Sequence, residues 1–387
     1  MSPTAPSTPA PAASMATAPV PLFELATQWQ LIRNDVEAAV KEVLDSQQYT
    51  SGATSGKFIG GFEDALGKMV GGHVVALSSG TDAILAALMA LNIGHGAEVV
   101  TTPFTFFATA GCIVRAGARP VFVDIDPATF LMNINAAEAA VTPKTRAIVP
   151  VHLFGQMLDT AALAAVAGRH KLDVVEDAAQ CIGARDAHGK QIAENARCAC
   201  LSFYPTKNLG AAGDAGALVT RDEKLATRFR QTRQHGETTR YQHEFVGGNF
   251  RMDAIQAAVL AVKLKWLDAW NNRRRAIAAY YTKRFTGSDV KPPAEQPGIH
   301  HVYHQYVIRA PRRDALRDHL GKNGVGCNIF YPKSLHLQAC FADLGYAKGA
   351  FPVAEAACEE VLALPVFPEL TDGQIERVAD AVLAFYR

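Results

Sequence analysis

The chain reads as an α/β protein: a mainly parallel β-sheet flanked by helices, followed by a smaller C-terminal α+β unit. Two observations predict the sheet. Between Val74 and Val219, short β-branched runs alternate with alanine-rich stretches of helical length. Those runs are apolar throughout, as strands buried on both faces must be. A third observation predicts the smaller unit, because strand-like and helical segments mix without that alternation beyond Arg284.

In order, "HVVAL" reads as a strand and "TDAILAALMAL" as the helix after it. "EVVTT" precedes the helical "FATAGCIVRAG", and "PVFVDID" and "RAIVPVHL" follow as strands. A helix is expected near Asp159 to His170, then strands at "DVVEDA" and "CACLSFYP". After Thr220 come a helix from about Asp222 to Arg233, the glycine-rich connection "HEFVGGNFRMD" and a long helical stretch to about Arg284. "PPAEQPG" reads as a loop, "YHQYVIR" as a strand, "RRDALRDHLGKNG" as a helix stopped by glycine, and "CNIFYP" as another strand. An N-terminal helix near Trp29 to Asp45 is expected to pack on either unit.

With 387 residues the chain can bury a large core. Its 38 basic and 37 acidic residues nearly cancel, and no basic stripe interleaved with aromatics stands out, so nothing recruits nucleic acid or an anionic membrane. Seven cysteines, none in a C-x-x-C pair, fit reduced thiols and a cytoplasmic location, with no metal site. Cys198 and Cys200 alternate along a strand, as core residues do. The segment "MSPTAPSTPAPAASMATAP" lacks a basic start and an apolar run and reads as a disordered tail over residues 1–19.

In such a sheet the carboxyl ends of the strands point at the ligand crevice, so polar residues there need a reason. The candidates are Ser78 to Thr81, His152, Asp177 and Gln180. "VVEDAAQ" ends a buried strand with Glu176 and Asp177, which alternation sends to opposite faces. At least one needs a cationic partner, since an unpaired buried charge costs several kcal/mol. "SSGTDA" offers an anion small residues and the free N–H groups of a helix start. Taken alone, that stretch is better explained as an ordinary N-cap. Lys207 follows an apolar strand and precedes "NLGAAGDAG", whose small residues suit close backbone approach. Desolvated there, its amine becomes a nucleophile toward an aldehyde. A lysine, an acidic strand-end residue and a helix-terminus anion cradle are together the parts that pyridoxal phosphate (PLP) requires.

At this point the sequence resembles the DegT-type nucleotide-sugar aminotransferases, PLP enzymes of the aspartate aminotransferase fold. The resemblance runs from about Pro21 to the C-terminus through "SSGTDA", "TPFTFFATAG", "PVFVDIDP", "VPVHLFGQ", "VVEDAAQ", "SFYPTKNLGAAGDAG", "GGNFRMDAIQAA", "HVYHQYVIR", "YPKSLHLQ" and "LPVFPELT". Many spaced motifs in one order make it specific.

The resemblance implies a seven-stranded-type sheet, with a large PLP-binding domain over residues 20–265 and a small domain over 266–387. It implies that Lys207 forms the Schiff base and shuttles the proton, and that Asp177 keeps the ring nitrogen protonated. Gln180 meets the ring hydroxyl, Phe106 stacks on the ring, and Gly80, Thr81 and Ser202 hold the phosphate. Asn249 reaches the phosphate of a neighbouring subunit, which implies a homodimer. Arg251, Tyr331 and His336 fall in segments that line the sugar-nucleotide pocket. Two features depart from the pattern: Ala215 stands where glycine is usual, and "YTSGATSGKFIGGFEDAL" reads as a longer, mobile loop near the substrate entrance.

The implied reaction moves an amino group from L-glutamate to a UDP- or dTDP-linked keto-sugar, with a 3-keto sugar favoured, cycling through pyridoxamine phosphate (PMP). A sugar dehydratase, a cyclitol aminotransferase and a non-catalytic PLP-binding regulator are the alternatives. A nicotinamide oxidoreductase fits poorly, because no G-x-G-x-x-G follows an early strand.

Overall fold

The computed structural model describes residues 18–51 and 55–387; most of the expected tail, residues 1–17, lies outside the described residues. Helix α1 (Ala26–Ser46) turns Ile32 and Val36 toward Val259 and Val262, so it packs on the body that carries the sheet. Helix α2 (Gly56–Val70) corrects the reading of a long loop from Tyr49 to Glu63. Ile59, Phe62, Leu66 and Val70 recur at helical spacing and are all buried, which outweighs the glycines and serines around them. Of that expected loop, residues 52–54 lie outside the described residues.

The alternation then unfolds as expected: β1 (His73–Leu77), α3 (Gly80–Ala90), β2 (Glu98–Thr101), α4 (Ala108–Arg115), β3 (Arg119–Phe122), α5 (Ile134–Ala139), β4 (Thr145–Ile148), α6 (Thr160–His170), β5 (Asp173–Asp177), β6 (Cys198–Ser202) and β7 (Gly216–Thr220). These seven strands form one sheet in the order β1-β7-β6-β5-β4-β2-β3. Only β7 runs against its neighbours. The carboxyl ends of the other six therefore share one edge, and the amino end of β7 joins them there, with Gly216 opposite both Leu77 and Ser202.

Both faces of the sheet are covered. Val74, Ala76, Ala199, Leu201, Ala217 and Val219 pack under α2 and the later helix α8 (Ala254–Leu264). Val75, Leu77, Cys198, Cys200 and Leu218 pack under α3 and α7 (Glu223–Arg233). The strict alternation of these residues explains why the strands read as unbroken apolar runs.

Helix α7 (Glu223–Arg233) is capped by the Asp222 side chain, which accepts from the Lys224 and Leu225 N–H groups. A small hairpin follows, β8 (Glu237–Thr239) and β9 (Gln242–His243). The long helical stretch divides into α8 (Ala254–Leu264) and α9 (Leu267–Phe285). The C-terminal region contributes β10 (Tyr306–Arg309), α10 (Arg313–Lys322), α11 (Pro352–Glu360), β11 (Val361–Leu364) and α12 (Asp372–Phe385), with β10 and β11 antiparallel. "CNIFYP" is not a strand: it touches the sheet only where Asn328 bridges Ala363. The N-terminal segment returns to this region, where Val20 pairs with Val325 and is fully buried.

Candidate active site

Lys207 sits in a loop closed on itself. Its N–H donates to the Tyr204 carbonyl at 2.8 Å, and the Ala211 N–H donates to the Phe203 carbonyl at 2.7 Å. A Cβ on Gly210 would lie 2.2 Å from the Pro205 carbonyl oxygen, so only glycine lets the loop fold this tightly. Buried Asn208 donates to Asn271 Oδ1 at 2.7 Å and to the Val302 carbonyl at 2.9 Å, and Lys263 Nζ donates to the Gly210 carbonyl at 2.8 Å. The loop is thus pinned from α8, α9 and the C-terminal segment before any ligand arrives.

The Lys207 residue is half-buried, but its amine lies deep enough that burial brings its pKa down to about 8, against the opposing pull of Asp177 and Cys181. The amine has no hydrogen-bond partner among the described residues. A lysine in this condition stays mostly ammonium at neutral pH but holds far more of the reactive neutral amine than a solvated lysine does.

Asp177 ends β5, the neighbour of β6, and is buried. Its Oδ2 accepts from the Thr109 hydroxyl at 2.7 Å and its Oδ1 from the Ala179 N–H at 3.3 Å. Burial pushes the carboxyl pKa up, while Thr109, Ala179, Lys207 and His152 pull it down. Glu176 points the other way, accepting from the Ala193 N–H at 2.7 Å. His152 is buried. Its Nδ1 accepts from the Leu158 N–H at 3.1 Å, and its buried Nε2 stands 3.6 Å from Glu176, too far for a hydrogen bond.

The Gln180 side-chain oxygen accepts from the Phe154 N–H at 2.7 Å and its amide nitrogen donates to the Tyr331 hydroxyl at 3.1 Å. Tyr331 links this amide to Phe106, whose ring centroid is 6.4 Å from its own. Phe106 is 58% exposed, with an open face. The loop that bears it is braced from the C-terminal side, where the Leu335 N–H donates to the Pro103 carbonyl at 2.8 Å.

At the start of α3, the Ser79 hydroxyl accepts from the Asp82 N–H at 3.0 Å, the N-cap that the sequence allowed. Gly80 and Thr81 follow in the first helical turn, where backbone N–H groups lack intrahelical acceptors. This turn is wedged against the sheet: a Cβ on Gly216 would lie 2.4 Å from the Ser79 carbonyl, and one on Gly80 would lie 2.6 Å from Ser202 Cβ. The Ser202 hydroxyl therefore borders the helix start, a cradle suited to an anion. The Asp82 carboxylate in the same turn is occupied by the Ser78 hydroxyl at 2.7 Å.

The remaining predicted residues are less central. Arg251 is half-buried and bridges Leu77 at the end of β1. Asn249 is exposed and bridges Gln234, with no side-chain hydrogen bond among the described residues. His336 is buried, its ring nitrogens committed to Ser334 at 2.8 Å and Glu355 at 3.0 Å, so neither is free for a ligand. Ala215 fits: its methyl joins the core and its carbonyl accepts from the Phe203 N–H at 2.8 Å.

Sequence reasoning missed Thr109, in the first turn of α4. It also missed His304, a buried histidine whose pKa is pushed well down by burial, reinforced by the nearby charges of Lys207 and Arg274.

Comparison with known proteins agrees with this fold. The pleiotropic regulatory protein of Geobacillus stearothermophilus is 47% identical over 371 residues, covering 95% of this chain and 99% of its own. The UDP-N-acetyl-3-dehydro-α-D-glucosamine 3-aminotransferase of Acidithiobacillus ferrooxidans is 40% identical, covering 94% and 97%. Among solved structures, DesV of S. venezuelae, in complex with a ketimine intermediate, superposes with a TM-score of 0.93 at 39% identity, covering 96% and 99%. NtdA of Bacillus subtilis, with bound cofactor PMP, superposes at 0.87 with 31% identity, covering 95% and 85%. The model of the DegT/DnrJ/EryC1/StrS aminotransferase family matches residues 30–383, and the chain belongs to that family.

Proposed function

We propose that this chain is a PLP-dependent aminotransferase that moves an amino group from L-glutamate to a nucleotide-linked keto-sugar, with UDP- or dTDP-linked 3-keto sugars favoured. The observation that carries the reading is the pairing of a pinned, partly desolvated Lys207 with a buried Asp177 at the ends of adjacent strands. The acceptor rests on the Acidithiobacillus relative, which is named for a UDP-linked 3-dehydro sugar.

The residues fit the cofactor. Glycine at position 80 leaves the space beside Ser202 that a Cβ would fill. Bound here, PLP supplies an electron sink through which one amino group passes between two carbon skeletons. Lys207 holds the cofactor and then carries a proton at Nζ. Asp177 keeps the ring nitrogen protonated, Gln180 donates to the ring hydroxyl, and Phe106 covers the ring. The Gly80 and Thr81 N–H groups and the Ser202 hydroxyl hold the phosphate. Exposed Asn249 suits the role of donor to the phosphate of a second copy, which makes the working unit a homodimer. Arg251 and Tyr331 face the sugar nucleotide, and His336 stiffens the segment that braces the Phe106 loop.

The test is the mass of products formed from glutamate and a panel of UDP- and dTDP-keto-sugars, with a keto-cyclitol alongside. A gain of one amine on a nucleotide sugar supports the reading; a gain on the cyclitol alone reassigns the acceptor. Loss of water without gain of nitrogen signals a dehydratase, a reading the presence of Lys207 argues against. A second reading, a PLP-binding regulator, takes its support from the name of the Geobacillus relative. Lys207→Ala separates the two, since it abolishes turnover in an enzyme and a regulator has none to lose.

A further inference from the structure

We propose that Thr109, backed by Thr105, is a positioning residue that orients the Asp177 carboxylate toward the cofactor ring nitrogen. This rests on the functional reading above and goes beyond it, because neither threonine is among the groups expected to touch the cofactor.

The side chain of an aspartate turns easily about its last torsion, which is broad and roughly two-fold. Nothing about a strand end fixes the carboxylate plane, so neighbours must do it. Thr109 is fully buried in the first turn of α4, and its hydroxyl lies 2.7 Å from Asp177 Oδ2. The Ala179 N–H meets Oδ1 at 3.3 Å. One donor on each oxygen holds the plane.

The direction of these bonds follows from counting protons. An ionised carboxylate only accepts, so the single proton of the Thr109 hydroxyl goes to Asp177. Thr109 Oγ1 is also 3.2 Å from the hydroxyl of buried Thr105 and 3.3 Å from the Phe106 carbonyl. With its proton committed, Thr109 accepts from Thr105. The result is a chain from Thr105 through Thr109 to Asp177, in which each bond polarises the next. The carbonyl bond to Phe106, three residues back, is the local alternative open to any helical threonine, and it is the longer of the two.

This chain has a purpose that packing alone lacks. Burial favours the neutral form of Asp177, yet only the anion can hold a protonated ring nitrogen. A donor aimed at the carboxylate favours the charged form. The same turn follows directly on Phe106, so one hydroxyl ties the ring-nitrogen partner to the loop bearing the ring-stacking residue.

Paired substitutions separate hydroxyl from shape. Thr109→Val keeps the volume and removes the proton; Thr109→Ser keeps the proton and removes the methyl. The readouts are the PLP dissociation constant of the apoprotein by equilibrium dialysis, the melting temperature of the apoprotein, and kcat and KM separately. Thr109→Val is expected to weaken PLP binding about tenfold or more, the range for a hydrogen bond to a charged group. It should lower kcat with KM for the keto-sugar unchanged and leave the apoprotein melt near that of the parent. Thr109→Ser should stay within about twofold of the parent, and Thr105→Val should show a smaller loss in the same direction. Parent-like PLP affinity in Thr109→Val, or equal impairment in the serine and valine variants, overturns the proposal. A parent chain that takes up no PLP at all sinks the functional reading, and this inference with it.

Discussion

Gly80 and Ser202 approach so closely that a Cβ on the glycine would stand 2.6 Å from the serine Cβ. That single contact joins the start of α3 to the end of β6 and sets where an anion can meet both.

Gly80→Ala should therefore damage the cradle before it damages the fold. The extra methyl forces the helix start away from Ser202, at a cost of about 1–3 kcal/mol for overpacking. PLP affinity should fall by at least tenfold, with a melt lowered by only a few degrees. Dialysis against free PLP and a thermal scan of the apoprotein check this, and an unchanged affinity would show that the phosphate sits elsewhere.

Lys207 gives a pH prediction whose sign follows from its direction of shift. Burial lowers the pKa to about 8 from the ordinary 10.5, so the inert ammonium dominates below about 8 and the nucleophilic amine above it. Capture of PLP by the apoprotein should speed up with rising pH and level off above about 8. Stopped-flow absorbance measures the rate. A rate still climbing steeply near pH 10 would mean that the amine is solvated.

The buried pair of Glu63 and Arg233 predicts a different kind of loss. Arg233 donates to Glu63 at 2.7 Å and to the Ala76 carbonyl at 3.1 Å, tying α7 to α2 and β1 far from Lys207 in sequence. Glu63→Ala leaves a buried guanidinium uncompensated, with an expected cost of about 3–5 kcal/mol. The double variant Glu63→Leu with Arg233→Met should recover much of the melting temperature. If the double variant melts no higher than the single one, unpaired charge is not the cause.

Ala215→Gly tests the departure from the usual glycine. The Ala215 methyl is buried in the core, so removing it should cost about 1 kcal/mol from lost burial and added chain entropy. PLP affinity and kcat should not change. A gain in kcat would mean that the methyl tightens the lysine loop instead.

The sheet was legible because both of its faces are buried, which makes every strand a short apolar run between helical stretches. Helix α2 was not, since its glycines and serines mask the spacing of Ile59, Phe62 and Leu66. The segment around Phe330 carries strand-forming residues but lacks a partner to pair with along its length. Within the site, Lys207, Asp177 and Gln180 could be read from their places after strands. Thr109 could not, because its bond to Asp177 spans 68 residues and depends on how α4 sits over the sheet edge. The role of His336 was hidden for the same reason, as Glu355 closes its hydrogen-bonding from another helix.

The backbone N–H of Phe154 can only donate, and it meets the side-chain oxygen of Gln180 at 2.7 Å. This polarity dictates which way the carboxamide faces: its nitrogen end is turned to the Tyr331 hydroxyl, 3.1 Å away. Any guest atom beside it must bring lone pairs, so an oxygen stripped of its proton is welcomed there and a bare carbon in the same spot is turned away.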